Sequence, residues 1–119
     1  MSGIVFYRTD QRAKVVEWYR ENLDADIWLE QTGCTILIKD GFRFGFCDGD
    51  QTETCGILTF VYDSKEQVDA MHEQLGETSQ EEPHENERYQ IYQFFAEDPD
   101  GRTVEVQTFL HRTPPVHSS

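Results

Sequence analysis

Apolar positions along the chain switch between two periods, and each switch marks an element. Residues 3–9 (GIVFYRT) carry Ile, Val, Phe and Tyr and predict a strand. Asp10 follows as an N-cap, and residues 11–23 place Val15, Val16, Trp18, Tyr19 and Leu23 on one broad helical face. Strands are predicted at 26–31 and 34–39 around a turn at Thr32-Gly33, and at 42–47 after the hairpin signal Asp40-Gly41. Residues 48–55 are polar and form a loop. A strand at 56–62 follows, then a cap at Asp63 and a helix over 64–75 carrying Val68, Met71 and Leu75. Residues 76–88 read mostly as loop, with room for one short strand. Strands at 90–97 and 102–110 flank a turn at Asp98-Pro99-Asp100-Gly101, and 111–119 is expected to be a flexible tail.

The second half of this order repeats the first. Gly3-Ile4 matches Gly56-Ile57, and at the same spacing Asp10 matches Asp63, Arg12 matches Lys65 and Val15 matches Val68. Leu23 matches Leu75 after a slip of one, and Asp40-Gly41 matches Asp100-Gly101. Each half, 3–48 and 56–110, therefore reads β-α-β-β-β within a single domain of 1–119. One helix cannot cover both faces of its sheet. The expected class is α+β: two βαβββ repeats forming a curved mixed sheet around a cleft, with the helices on the outer face.

Charge narrows the partners. Asp and Glu number 23 against 10 Lys and Arg, for a net charge of −13. Phosphates would be repelled, so neither nucleic acid nor an anionic membrane is an expected partner. No apolar run approaches the ~18 residues of a membrane-spanning helix, and the first residues carry no secretory pattern. A cytoplasmic protein is expected. The acids are spread between apolar segments and Lys is scarce, a composition suited to a salt-rich, halophilic cytoplasm where salt screens self-repulsion. Cys34, Cys47 and Cys55 are odd in number and form no CxxC pair, so all three are expected to be reduced thiols with structural roles.

Two stretches carry a family likeness. Trp18-Tyr19-x-x-x-Leu23 at the end of the first helix, and Phe94-Phe95-Ala96-Glu97-Asp98-Pro99-Asp100-Gly101-Arg102-Thr103-Val104-Glu105-Val106, resemble the first and terminal motifs of the vicinal oxygen chelate superfamily. That superfamily includes glyoxalase, extradiol dioxygenases and the bleomycin and fosfomycin resistance proteins. The resemblance implies a homodimer. It also implies four metal-ligand positions, which fall here on Gly3, Gly45, Gly56 and Glu105. Three glycines offer no ligand, and one carboxylate does not hold a divalent ion. The expectation is a chain without a metal or other cofactor, like the resistance proteins that sequester drugs; a divalent metal is the alternative.

Glu105 lies between Val104 and Val106, so its side chain faces away from theirs, and Thr103 and Gln107 share its face. On the preceding strand Tyr92 and Phe94 share one face, while Ile91, Gln93 and Phe95 share the other; alternation alone does not say which lines the cleft. The candidate binding set is Glu105, Thr103, Gln107, Tyr92 and Phe94, around a small organic ligand. Glu105 and His84 are the candidate catalytic pair, His84 standing in an acidic loop able to fold over a cleft. Blander roles exist for each: Glu105 paired with Arg43, the aromatics in a core, and His84 solvated. His72 belongs to a helix face, and His111 and His117 to the tail. No phosphate loop or GxSxG elbow occurs. The leading expectation is a ligand-binding protein. The others are a lyase, isomerase or dioxygenase type of enzyme using Glu105 with His84 or Tyr92, possibly on a rebuilt metal site, and a regulatory module that has lost its ligand.

Overall fold

A computed structural model describes residues 3–115. His117 and the end of the tail lie outside them, and residues 111–115 hold no regular element. The described chain divides into two compact units, 3–55 with 99–101 and 56–98 with 102–115. The α+β class and the repeated βαβββ pattern hold, and the strands are hydrogen-bonded as one four-stranded mixed sheet per repeat.

The first unit contains β1 (Ile4–Thr9), α1 (Arg12–Leu23), β2 (Asp26–Gln31), β3 (Cys34–Lys39) and β4 (Phe42–Asp48). The sheet order is β1-β4-β3-β2, with β1 parallel to β4 and the other pairs antiparallel. Helix α1 buries Val15, Val16, Tyr19 and Leu23. The Tyr19 ring packs at 5.2 Å from Phe44 and 5.3 Å from Phe46, two inward residues of β4. The other face of this sheet brings a side chain across β4 at Gly45. A Cβ there would stand 2.7 Å from the Phe6 ring, so the ring occupies the space a side chain would need.

Asp10 does not cap α1. The cap is Gln11, with no side-chain bond to the helix; its N–H donates instead to Thr9 Oγ1. Asp10 is held by Thr52, which accepts from its N–H and donates to its carboxylate, both at 3.3 Å.

The second unit repeats the order with β5 (Ile57–Val61), α2 (Lys65–Leu75), a single 3₁₀ turn (Gly76–Thr78), β6 (His84–Asn86), β7 (Ile91–Glu97) and β8 (Thr103–Phe109). Its sheet order is β5-β8-β7-β6, with β5 parallel to β8. The short strand β6 falls in the stretch read mostly as loop. Here too the cap moves by one residue, to Ser64. Its Oγ accepts the Gln67 N–H, while Gln67 Oε1 accepts the Asp63 N–H, a reciprocal arrangement that Asp63 cannot make from one position earlier. Val68 and Leu75 of α2 are buried, as are Leu58, Phe60, Phe94, Ala96, Val104 and Val106 of the sheet.

The cysteine expectation is corrected. Cys34 and Cys47 form a disulfide, with Cα atoms 4.1 Å apart, and Cys55 alone is free and exposed. The reason is register: the β3–β4 ladder sets the two residues directly opposite each other. Such bonds persist in oxidising surroundings and are rare where thiols are kept reduced. Among the described residues no helix is long and apolar enough to cross a membrane.

Candidate functional site: the helix-free face of the second sheet

Strand alternation divides the second sheet into two chemically different faces. One face packs on α2. Leu58, Val104 and Ala96 stand in register on it, as do Phe60, Val106 and Phe94. The other face carries Thr59, Glu105 and Phe95 in one row, and Val61, Gln107, Gln93 and His84 in the next. Thr103 precedes them on β8, opposite Glu97.

Glu105 is 8% exposed. Thr59 Oγ1 donates to its Oε1 at 2.8 Å, and Gln93 Nε2 donates to its Oε2 at 2.5 Å. Asn86 Nδ2 donates to Gln93 Oε1 at 2.9 Å, which fixes the amide so that its NH₂ must point at the carboxylate. Among the described residues no Lys, Arg or His lies within ion-pair distance of Glu105. Arg43, the partner considered for it, stacks on Trp28 in the first unit at 4.7 Å. Gln107, also 8% exposed, has a buried Oε1 with no hydrogen-bond partner among the described residues. Ile57, Val61 and Phe109 are exposed apolar residues on the same face. The result is a buried, acceptor-rich patch with an apolar border.

Of the residues singled out in the sequence, Glu105, Gln107 and Thr103 share this face. Tyr92 and Phe94 do not. Phe94 is fully buried on the α2 side, its ring 5.2 Å from His72, and the Tyr92 hydroxyl donates to Asp69 of α2 at 2.7 Å. Phe95 and Gln93 stand in their place beside Glu105. His84 has its Cα in register with Gln93, but its exposed ring turns to Glu81, with Nδ1 3.0 Å from Oε2, and to the Glu82 carbonyl. His84 and Glu105 share no bond. Thr59, Gln93 and Asn86 had no sequence motif to mark them. Only the register across β5, β8, β7 and β6 brings them to the carboxylate.

The α2 side has its own electrostatics. Asp69 accepts from the Tyr92 hydroxyl and holds the proton on it, and desolvation and the negative charges of Asp69, Glu82 and Glu85 add to this, so the phenol is pushed up to about 12 from its ordinary 10.0. The sign for stability follows. Above pH 10 an unfolded Tyr92 gives up its proton while the folded one keeps it. The contribution is fully present below pH 10 and falls as pH rises toward 12. In a difference titration of tyrosinate absorbance, wild type minus Tyr92→Phe, one tyrosine should ionise near pH 12. Asp69→Asn should move that step down. A Tyr92 step at pH 10 in the wild type would mean that the Asp69 bond does not form in solution.

The donor set offers little to a divalent metal. Phe6 occupies the space at Gly45, and no group of three His, Cys, Asp or Glu converges among the described residues.

Comparison with known proteins places the fold. No family model matches the chain, and no curated protein matches it by sequence. Solved structures match over nearly its whole length. A glyoxalase/bleomycin resistance protein/dioxygenase from Nocardioides is similar with a TM-score of 0.75 at 14% identity, over 100% of this chain and 89% of that one. A glyoxalase/bleomycin resistance protein/dioxygenase family enzyme from Burkholderia phytofirmans gives 0.78 at 18%, over 90% and 97%. A lactoylglutathione lyase from Agrobacterium tumefaciens gives 0.74 at 18%, over 91% and 92%. The chain has the fold of these proteins.

Proposed function

We propose that the chain is a small-molecule-binding protein of the glyoxalase/bleomycin-resistance type, that it works without a metal, and that its ligand sits on the Glu105 face of the second sheet. The observation that carries this is the Asn86–Gln93–Glu105–Thr59 network. It holds a buried carboxylate in one orientation on a sheet face no helix of its unit covers. A carboxylate kept for stability alone would be paired with a cation or left in water. This one is fixed by neutral donors beside a buried amide oxygen with no partner, an arrangement suited to receiving a ligand group. The homodimer and halophilic cytoplasmic setting belong to the same proposal, and the Cys34–Cys47 disulfide requires that this cytoplasm be less reducing than the usual one.

An enzymatic role with His84 or Tyr92 beside Glu105 draws less support. Tyr92 is on the opposite face, and His84 is engaged by Glu81. A fragment screen read by amide NMR tests the binding proposal. Binding fragments should shift the amides of Thr59, Gln93, Glu105 and Gln107, and Glu105→Ala should abolish those shifts. Fragments that shift only α2 and Tyr92, or none that shift either face, would overturn it.

A further inference from the structure

We infer that the ligand of the Glu105 face is a small organic cation carrying N–H donors, such as an ammonium, amidinium or guanidinium group on an apolar body. The inference rests on the proposal that this face is the binding site, and it adds the chemical class of what binds there.

The polar groups of the face point one way. Glu105 is more than nine-tenths buried and bears a negative charge that no described cation offsets. Thr59 and Gln93 each fill one lone-pair position on it, and a carboxylate has about four. Gln107 Oε1, nine-tenths buried and two residues along β8, is an acceptor with nothing to accept. Among the described residues Gln93 is the one amide donor directed at the carboxylate, and Asn86 prevents it from turning away. None of the strand residues on this face is Lys or Arg. A ligand anion would meet a buried negative charge on a face whose strands carry no Lys or Arg to offset its own. A neutral acceptor would leave Gln107 unsatisfied. A donor-bearing cation offsets the charge and fills both acceptors at once, and bonds of that kind are about twice as strong as neutral ones. The exposed Ile57, Val61 and Phe109 at the border suit an aromatic or aliphatic body. The net charge of −13 favours the approach of cations from a distance.

Three nearly isosteric probes separate the cases: benzamidine, benzamide and benzoate, titrated calorimetrically into the full chain. Benzamidine should bind about 10-fold or more tighter than the other two, and more weakly as salt is raised. Glu105→Gln, which keeps the shape and removes the charge, should erase most of that preference. Gln107→Leu should weaken benzamidine by a smaller factor and leave benzoate unchanged. A native-like amide NMR spectrum for each variant guards against misfolding. If benzamide or benzoate binds as tightly as benzamidine, or if Glu105→Gln leaves the preference intact, the cation inference fails while the binding site stands. If none of the three binds at millimolar concentration while other fragments shift the Glu105 face, the inference fails alone. If no fragment reaches that face, both fail.

Discussion

Replacing Arg102 with alanine is expected to lower the unfolding free energy by about 3–5 kcal/mol, measured by urea denaturation. Arg102 is entirely buried, and its Nη1 donates to Asp98 Oδ2 at 2.6 Å. The pair also closes the turn: the Arg102 N–H donates to Asp98 Oδ1, and the Asp98 N–H donates to the Arg102 carbonyl, both at 3.0 Å. A buried ion pair is a weak source of net stability, because desolvation offsets most of the attraction. Breaking it is another matter, since the buried Asp98 carboxylate then loses the guanidinium that offsets it. The expected loss is a large share of the ~5–15 kcal/mol that holds a typical domain. The double variant Asp98→Asn/Arg102→Met should recover part of it, because no charge is then stranded and Asn can still accept the backbone N–H. A single-variant loss below about 1 kcal/mol would show that water reaches the pair.

Tyr19→Ala should cost a similar amount, about 3–5 kcal/mol, and Trp18→Ala distinctly less. The two residues are neighbours in one motif, yet only Tyr19 is fully buried, between Phe44 and Phe46. Trp18 meets Tyr19 edge-on at 4.8 Å and stays partly in water. Removing Tyr19 opens a cavity between α1 and β4 that surrounding rings cannot fill without leaving their rotamers. Equal losses for the two variants would mean that the motif stabilises α1 itself rather than its packing.

The elements were legible because periodicity reports burial: both helices and the strands β3, β4, β5, β7 and β8 bury part of their length, whereas β2 is exposed throughout and showed itself only by its strand-forming residues. The repeat was legible for the same reason. The caps were misplaced by one residue at each helix: Asp10 and Asp63 are good capping residues, but Gln11 and Ser64 occupy the position, and only the Ser64–Gln67 pairing could have said so. The disulfide was within reach of the sequence. Counting outward from the two-residue Asp40-Gly41 turn pairs Lys39 with Phe42 and arrives at Cys34 opposite Cys47.

The face of β7 depended on a single residue. A four-residue turn over 98–101 would set Glu97 opposite Arg102 and Phe94 opposite Glu105. The turn takes in Arg102 as well, so Glu97 pairs with Thr103 and Phe95 with Glu105. A slip of one residue exchanges the two faces of a strand. It moves Tyr92 and Phe94 to α2 and brings Gln93 to the carboxylate. The Thr59 and Asn86 contacts could not be read at all, since they are set by pairing across three strand junctions.

The crystal structure of the chain with a bound fragment tests the central claim most directly. The account predicts density on the helix-free face of the second sheet. A ligand N–H should lie about 2.7–3.2 Å from a Glu105 oxygen or from Gln107 Oε1, with the Gln93–Glu105 bond retained. A ligand seated instead among Asp69, His72, Glu82 and Tyr92, on the α2 side, with Glu105 untouched, would contradict it.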